Sequence, residues 1–137
     1  MSGMWAYGTQ FKRGSGGSPE TFATVANVRS VNGLDLSRNT DDVTTHDSPG
    51  GWMEFIGTLK DAGEVSLELH YKPTSHDQFM ADLSDETPRN YQLVVPSSPS
   101  VTWSFAAIMT GFSQGFPVDG KATGTFTYKV TGVPAFV

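Results

Sequence analysis

Cysteine is absent from the 137-residue chain, which excludes disulfides, thiolate zinc sites and a cysteine nucleophile. Long apolar runs are absent too: no stretch approaches the ~20 residues that a membrane helix requires, and no membrane partner is expected. The opening Met1-Ser2-Gly3-Met4-Trp5 has no charged segment leading into an apolar one, so no secretory leader is expected. Charge is scarce, at 17% of residues, against ~25% in ordinary soluble domains. It also leans acidic, with a net charge of −5. Residues 35–85 hold eleven acids and three bases, while both flanking segments are faintly basic. Without clustered Lys and Arg the chain has no electrostatic grip on nucleic acid. Ends and middle of opposite sign are instead compatible with contacts between copies.

What is present suits strands and turns. Fifteen glycines accompany many Ser and Thr. The length fits a single domain of ~100–200 residues, which buries roughly two thirds of its unfolded surface. Residues 1–20 combine Trp5, Tyr7, Phe11, Lys12 and Arg13 with Gly14-Ser15-Gly16-Gly17-Ser18-Pro19, which reads as an N-terminal strand or arm followed by a loop. The domain proper is then expected over 21–137. Thr21 to Val31 alternates weakly, Asn32-Gly33 is a hairpin-type turn signal, and Asp42 to Thr45 reads as a short strand. Glu64 to Lys72 is the clearest strand: Val65, Leu67, Leu69 and Tyr71 take one face, and Glu64, Ser66, Glu68 and His70 the other.

Ser75-His76-Asp77-Gln78 has the form of a capping box. Behind it Phe79, Met80 and Leu83 make an apolar stripe, so one short helix is expected over about 75–84, packed on a sheet. Arg89 to Val95 is a strand with Tyr91, Leu93 and Val95 inward. Val101 to Phe112 is long and apolar, expected to be buried on both faces or bent. Gly124 to Thr131 sets Phe126, Tyr128 and Val130 against Thr125, Thr127, Lys129 and Thr131. Several strands, one helix and several more strands predict a mainly β fold, a β-sandwich or partly open barrel with one short flanking helix.

Few residues carry a case for chemistry. Gly111-Phe112-Ser113-Gln114-Gly115 matches a nucleophile elbow, but Phe116-Pro117-Val118-Asp119-Gly120 follows where a helix must start, so a strand bend is the better reading. His46-Asp47, His76-Asp77 and His70 lack the spacing that places two ligands on one face. Asp41-Asp42 and Asp85-Glu86 are neighbours that point apart on a strand, so solvated acids are expected. Gly14-Ser15-Gly16-Gly17 lacks the Lys-Ser/Thr of a phosphate loop. No catalytic residue, metal or cofactor is expected. Trp52, Met53, Phe55 and Ile56, crowded behind Ser48-Pro49-Gly50-Gly51, make a stronger claim. Such a cluster is either tucked into the core or pressed into a neighbour, and interface cores are enriched in these residue types.

The run Ser37-Arg38 through Asp42-Val43-Thr44, then His46-Asp47-Ser48-Pro49-Gly50-Gly51-Trp52-Met53-Glu54-Phe55-Ile56 and Leu59-Lys60-Asp61-Ala62-Gly63-Glu64-Val65, resembles the major tail proteins, or tail tube proteins, of long-tailed non-contractile bacteriophages. Trp103-Ser104-Phe105, Gly111-Phe112, Pro117-Val118-Asp119-Gly120-Lys121 and Lys129-Val130-Thr131-Gly132 are similar to that family as well, so the resemblance spans about residues 22–133. It implies a structural virion protein made in the bacterial host cytoplasm and residing in the tail. Its partners would be copies of itself, in stacked hexameric rings, with the tape measure, tail tip and tail terminator proteins. DNA would pass without specific binding. A C-terminal immunoglobulin-like domain, which some relatives append, is not expected. His46, Asp47, Trp52, Met53, Glu54, Phe55, Ile56, Lys60 and Asp61 would form the loop that contacts the adjacent ring. The polar faces of the two clear strands (Glu64, Ser66 and Glu68; Thr125, Thr127 and Lys129) are candidates to line the bore. Alternatives are a tube protein of a contractile tail or type VI secretion-like machine, or a monomeric carbohydrate-binding β-sandwich that stacks Trp and Tyr on sugars.

Overall fold

Alternation of β-branched, leucine and aromatic residues builds the strands, and the inward face they share decides how those strands are arranged. The computed structural model describes residues 3–17, 19–74, 76, 79–97 and 99–136. Along the chain lie β1 (Gln10–Gly14), β2 (Phe22–Thr24), β3 (Val28–Asn32), β4 (Ser37–Asp42), β5 (Phe55–Asp61), β6 (Glu64–His70), α1 (Phe79–Ser84), β7 (Arg89–Val95), β8 (Val101–Gly115) and β9 (Thr123–Phe136). Seven strands form one antiparallel sheet in the order β2-β1-β7-β8-β9-β6-β3, while β4 and β5 pair only with each other. The fold is mainly β with one short helix.

The long β8–β9 hairpin is the spine of the sheet. β7 pairs with β8 over Val101–Ala107, and β6 pairs with β9 over Thr123–Lys129, near the other end of the hairpin. Two half-sheets thus share one spine at staggered heights. Register shifts between Ser104 and Ala106 and between Met109 and Gly111 let β8 bend where one half gives way to the other. β1 and β9 are separated by β7 and β8, about 14 Å in a flat sheet. The Phe11 and Tyr128 ring centroids are nevertheless only 5.5 Å apart. The sheet therefore folds over, and its single apolar face packs against itself.

Phe11, Tyr91, Phe105 and Tyr128 are the centre of that contact, joined by Val65, Leu67, Leu69, Met109, Phe126 and Val130. Phe11 stacks on Tyr91 at 5.4 Å, and Tyr91 meets Tyr128 at 4.7 Å. Each such burial stabilises by about 1.5–3 kcal/mol, and aromatic pairing adds about 0.5–1.5 kcal/mol. Burial pushes both tyrosine hydroxyls well above their usual titration range, so they stay neutral.

Four expectations need correction. Residues 10–14 belong to the sheet, and Phe11 is completely buried, so the body of the domain starts inside the segment read as an arm. The strand alternative for this segment is the one seen, but a single apolar residue between Gln10 and Lys12 was too little to place that strand in the core. Thr21 to Val31 is broken by Asn27, whose φ of +60° is a left-handed turn conformation that asparagine tolerates. Asn32-Gly33 ends β3 without making a hairpin, because the next strand leaves the sheet. The strand expected at Asp42 to Thr45 lies earlier, at Ser37–Asp42. Of the two expectations for Val101 to Phe112, the bend is the one seen, and a single face of β8 is buried: Phe105, Ala107 and Met109 point in while Ile108 and Thr110 are exposed.

The helix departs furthest from its pattern. It runs over Phe79–Ser84, with Met80 and Leu83 exposed and Asp82 buried. The capping box over Ser75, Asp77 and Gln78 lies outside the described residues. Asp82 is held by two arginines from the sheet. Arg13 of β1 donates from Nε to Oδ2 at 2.8 Å and from a terminal nitrogen to Oδ1. Arg89 Nε lies 3.3 Å from Oδ1, an ion pair without hydrogen-bond alignment, while its terminal nitrogens donate to the Gly14 carbonyl (3.0 Å) and to Asp85. The bond to Asp82 raises the Arg13 pKa above an already high value and keeps the guanidinium charged. A carboxylate therefore docks this helix, while Met80 and Leu83 are turned to solvent. Breaking a buried pair from one side costs about 3–5 kcal/mol. Asp82→Ala should lower stability by about 3 kcal/mol in urea unfolding, whereas Met80→Ala should change it by less than about 0.5 kcal/mol.

Candidate functional site: an exposed arm and a polar sheet face

Residues 37–61 leave the body as a two-stranded ribbon. Every residue of β4 and β5 is exposed. Trp52 is 78% exposed, and Met53, Phe55, Ile56 and Leu59 are all more than half exposed. Phe55 and Ile56 are adjacent in β5 and so lie on opposite faces, which leaves apolar surface on both sides. The sequence reading expected a long loop over His46 to Lys60. The structure shows a shorter loop, because β5 already pairs with β4 from Phe55 onward.

Polar groups stitch the tip into a defined shape. The Thr44 N–H donates to Asp42 Oδ1 (2.8 Å), the Glu54 N–H to Thr44 Oγ1 (2.7 Å) and the Thr45 N–H to Ser48 Oγ (3.0 Å). Ser48 in turn donates to Glu54 Oε2 at 3.0 Å. Hydrogen bonds from the Thr44 hydroxyl and N–H hold Asp42 below the usual carboxylate range. Gly50 and Gly51 both have positive φ, and the Trp52 ring lies against Gly50 where a Cβ would stand, so Pro-Gly-Gly sets the direction of the indole. Lower on the ribbon, the Arg38 guanidinium covers Gly57 in the same manner.

The root is pinned to the body. Asp61 accepts the Gly63 N–H at 2.9 Å, and Lys129 Nζ lies 3.1 Å from both of its oxygens. The Gly63 bond first and Lys129 second lower the Asp61 pKa. Gly63 has φ +76°, and the Asp35 carbonyl occupies the space of its missing Cβ, so no other residue fits there without moving β5 or β6.

The six strand residues read as polar faces prove to be cross-strand partners. Glu64 faces Lys129, Ser66 faces Thr127 and Glu68 faces Thr125. Asn32 and Ser30 of β3 extend the same face, and Arg29 pairs with Glu68 at 3.1 Å. Two separate alternations in the sequence thus make one contiguous patch. Asp61 and Lys129, assigned to different sites by the sequence, form one ion pair between them.

Ser113 sits within β8 opposite Thr125, with strand continuing on both sides, so the geometry of an elbow is not formed. His76 is buried: Nδ1 accepts the Lys72 N–H (3.1 Å) and Nε2 donates to the Ala26 carbonyl (2.7 Å), a structural tether. Among the described residues no group of three or more His, Cys, Asp or Glu side chains is placed to hold a metal. Sequence reasoning missed an apolar groove of about 690 Å3 at the arm root, lined by Leu36, Ala62, Trp103, Val133 and Pro134 and rimmed by Arg38 and Lys60. Val133, exposed beside Pro134, was the available signal.

The profile of a family described as phage tail tube protein matches residues 10–136. Among solved structures, the tail of a gene transfer agent particle, determined with C6 symmetry, aligns with TM-score 0.78 at 20% identity over 98% of this chain and 99% of that chain. The sheath/tube terminator of an extracellular contractile injection system aligns with TM-score 0.74 at 14% identity over 100% of this chain and 98% of that chain. The tail tube of SPP1 aligns with TM-score 0.67 at 9% identity over 93% of this chain and 75% of that chain. At these identities the likeness is one of fold. No curated protein sequence matches the chain.

Because the folded-state pKa of Asp61 is depressed, its contribution to stability is present above the usual aspartate range and is lost as pH falls through the folded-state value. An NMR titration should place its midpoint below that of a free aspartate. Lys129→Ala should raise the midpoint only part of the way, since the Gly63 N–H remains.

Proposed function

The chain belongs to the phage tail tube protein family, and from that premise we propose that it is a structural protein of the virion tail whose copies stack as rings into the tube through which DNA is ejected. The exposed ribbon carries this reading most directly. An isolated two-stranded hairpin is at best marginally stable in water. This one leaves apolar groups uncovered on both faces. It makes sense as a contact element completed by another copy. His46, Asp47, Trp52, Met53, Glu54, Phe55 and Ile56 would supply that contact toward the adjacent ring, with Lys60 and Asp61 at the root.

Within a ring, the edges of the sheet suggest how copies join. β3 pairs with β6 on one side only, and β7 follows β8 no further than Ala107. Strand direction alternates through β8, β9, β6 and β3, so β3 of one copy runs antiparallel to β8 of its neighbour. Pairing there would extend four strands per copy into a closed barrel and remove the exposed edges. The sixfold symmetry of the gene transfer agent tail supports six copies per ring here.

That barrel would turn the Glu64, Ser66, Glu68, Thr125, Thr127 and Lys129 face toward the bore. Both cations of this face are already paired within the chain, Lys129 with Asp61 and Arg29 with Glu68. DNA phosphates would gain little from replacing those partners, so the wall would let DNA slide. The domain would run from β1 to the end of β9, and tape measure, tail tip and terminator proteins would be its further partners.

The test is Trp52→Ala combined with Phe55→Ala. The variant should keep the circular dichroism and unfolding midpoint of the parent, because neither side chain belongs to the core. It should form no tubes under electron microscopy. Tubes of normal length from this variant would count against the arm as the contact between rings.

A further inference from the structure

The arm needs a receptor, and the molecule carries one. We propose that the arm tip of one copy seats in the groove at the arm root of the next, with Trp52 and Met53 between Leu36, Trp103, Val133 and Pro134. This rests on the reading of the arm as a contact element and names the surface it meets.

Four observations point to that occupant. The groove is open and apolar: Val133 is 93% exposed on the bulge that Gly132 makes with φ +80°, and Leu36 is more than half exposed. Its volume of about 690 Å3 leaves room for an indole and a methionine together. Charge complements it. Between Arg38 and Lys60 the arm carries Asp41, Asp42, Asp47 and Glu54 and no Lys or Arg. Arg38 and Lys60 are register partners across the ribbon and both line the groove, with the Arg38 guanidinium turned over Gly57, and neither meets a carboxylate among the described residues. An anion brought to that rim meets two cations that have no carboxylate of their own. An acidic tip supplies that anion.

Reach requires a second copy. The seven residues of β5 span about 24 Å, so the tip of an extended ribbon stands far from its own root. Tip and groove are different patches, and a contact between different patches repeats head to tail without closing. Stacking along one axis follows from that geometry.

The cysteine-free chain permits a direct test. Tubes of the Met53→Cys/Val133→Cys variant, once oxidised, should give a reducible ladder of dimers, trimers and longer chains on a denaturing gel. Either single variant should give none. Intact tubes without a ladder, or with one no stronger than in a Met53→Cys/Ser113→Cys control, overturn the groove assignment. If the double variant does not polymerise, charge exchange decides. Lys60→Glu and Asp47→Lys should each raise the critical concentration for tubes at least ~10-fold, in the range of an interface hot spot. Their combination should bring it back toward the parent, and a combination as defective as the single variants overturns the proposal. Failure of the groove leaves the arm reading standing as long as Trp52→Ala/Phe55→Ala abolishes tubes. Normal tubes from that variant defeat the arm reading itself.

Discussion

A single sheet with one apolar face must cover that face with itself or leave it wet, and the contact of Phe11 and Tyr91 with Tyr128 is how this chain covers it. Once β1 closes over β9, the remaining features have their places. The polar side of β6 and β9 is turned outward. β4 and β5 stand outside the sheet and pair only with each other. The Asp82 carboxylate is drawn in to hold α1 beside two arginines that the pairing of β1 with β7 has brought together.

Charge plays two roles in the molecule. Inside, Asp82 with Arg13 and Arg89 fixes the position of a helix too short to hold itself, since isolated helices of this length are unstable in water. Outside, Lys129 with Asp61 ties the root of the ribbon to a strand of the body, and Arg29 with Glu68 spans β3 and β6. These outer pairs are solvent-exposed and contribute little stability each. Their effect is to set which cations remain uncommitted, and Arg38 and Lys60 at the ribbon root are two of those.

The sequence was most legible where alternation met burial. Val65, Leu67 and Leu69 in β6, and Phe126, Tyr128 and Val130 in β9, face the core as their period of two requires. Trp52 and Phe55 were readable as exposed because Gly-rich turns and acids surround them. β1 was obscure, because Phe11 is its one large apolar residue and its partners arrive from β7 and β9. β4 and β5 left no alternation to read, since a ribbon with two wet faces imposes none. α1 misled for the opposite reason: Met80 and Leu83 of its apolar stripe face solvent in the fold, while the ion pair that orients it joins residues 69 positions apart. Pairing of Glu64 with Lys129, and of Asp61 with Lys129, depends on strand order, which no local pattern encodes.

The unsupported ribbon has a kinetic corollary. A hairpin that is marginal in isolation must pay its ordering entropy when it first meets a partner. The earliest encounter between copies therefore carries most of that cost, while an existing end presents a surface already in shape. With the ribbon as the contact proposed above, growth from such an end would outpace spontaneous initiation. Subunits would then stay in solution until a seed is offered, and length would become a property of whatever supplies the seed and the stop.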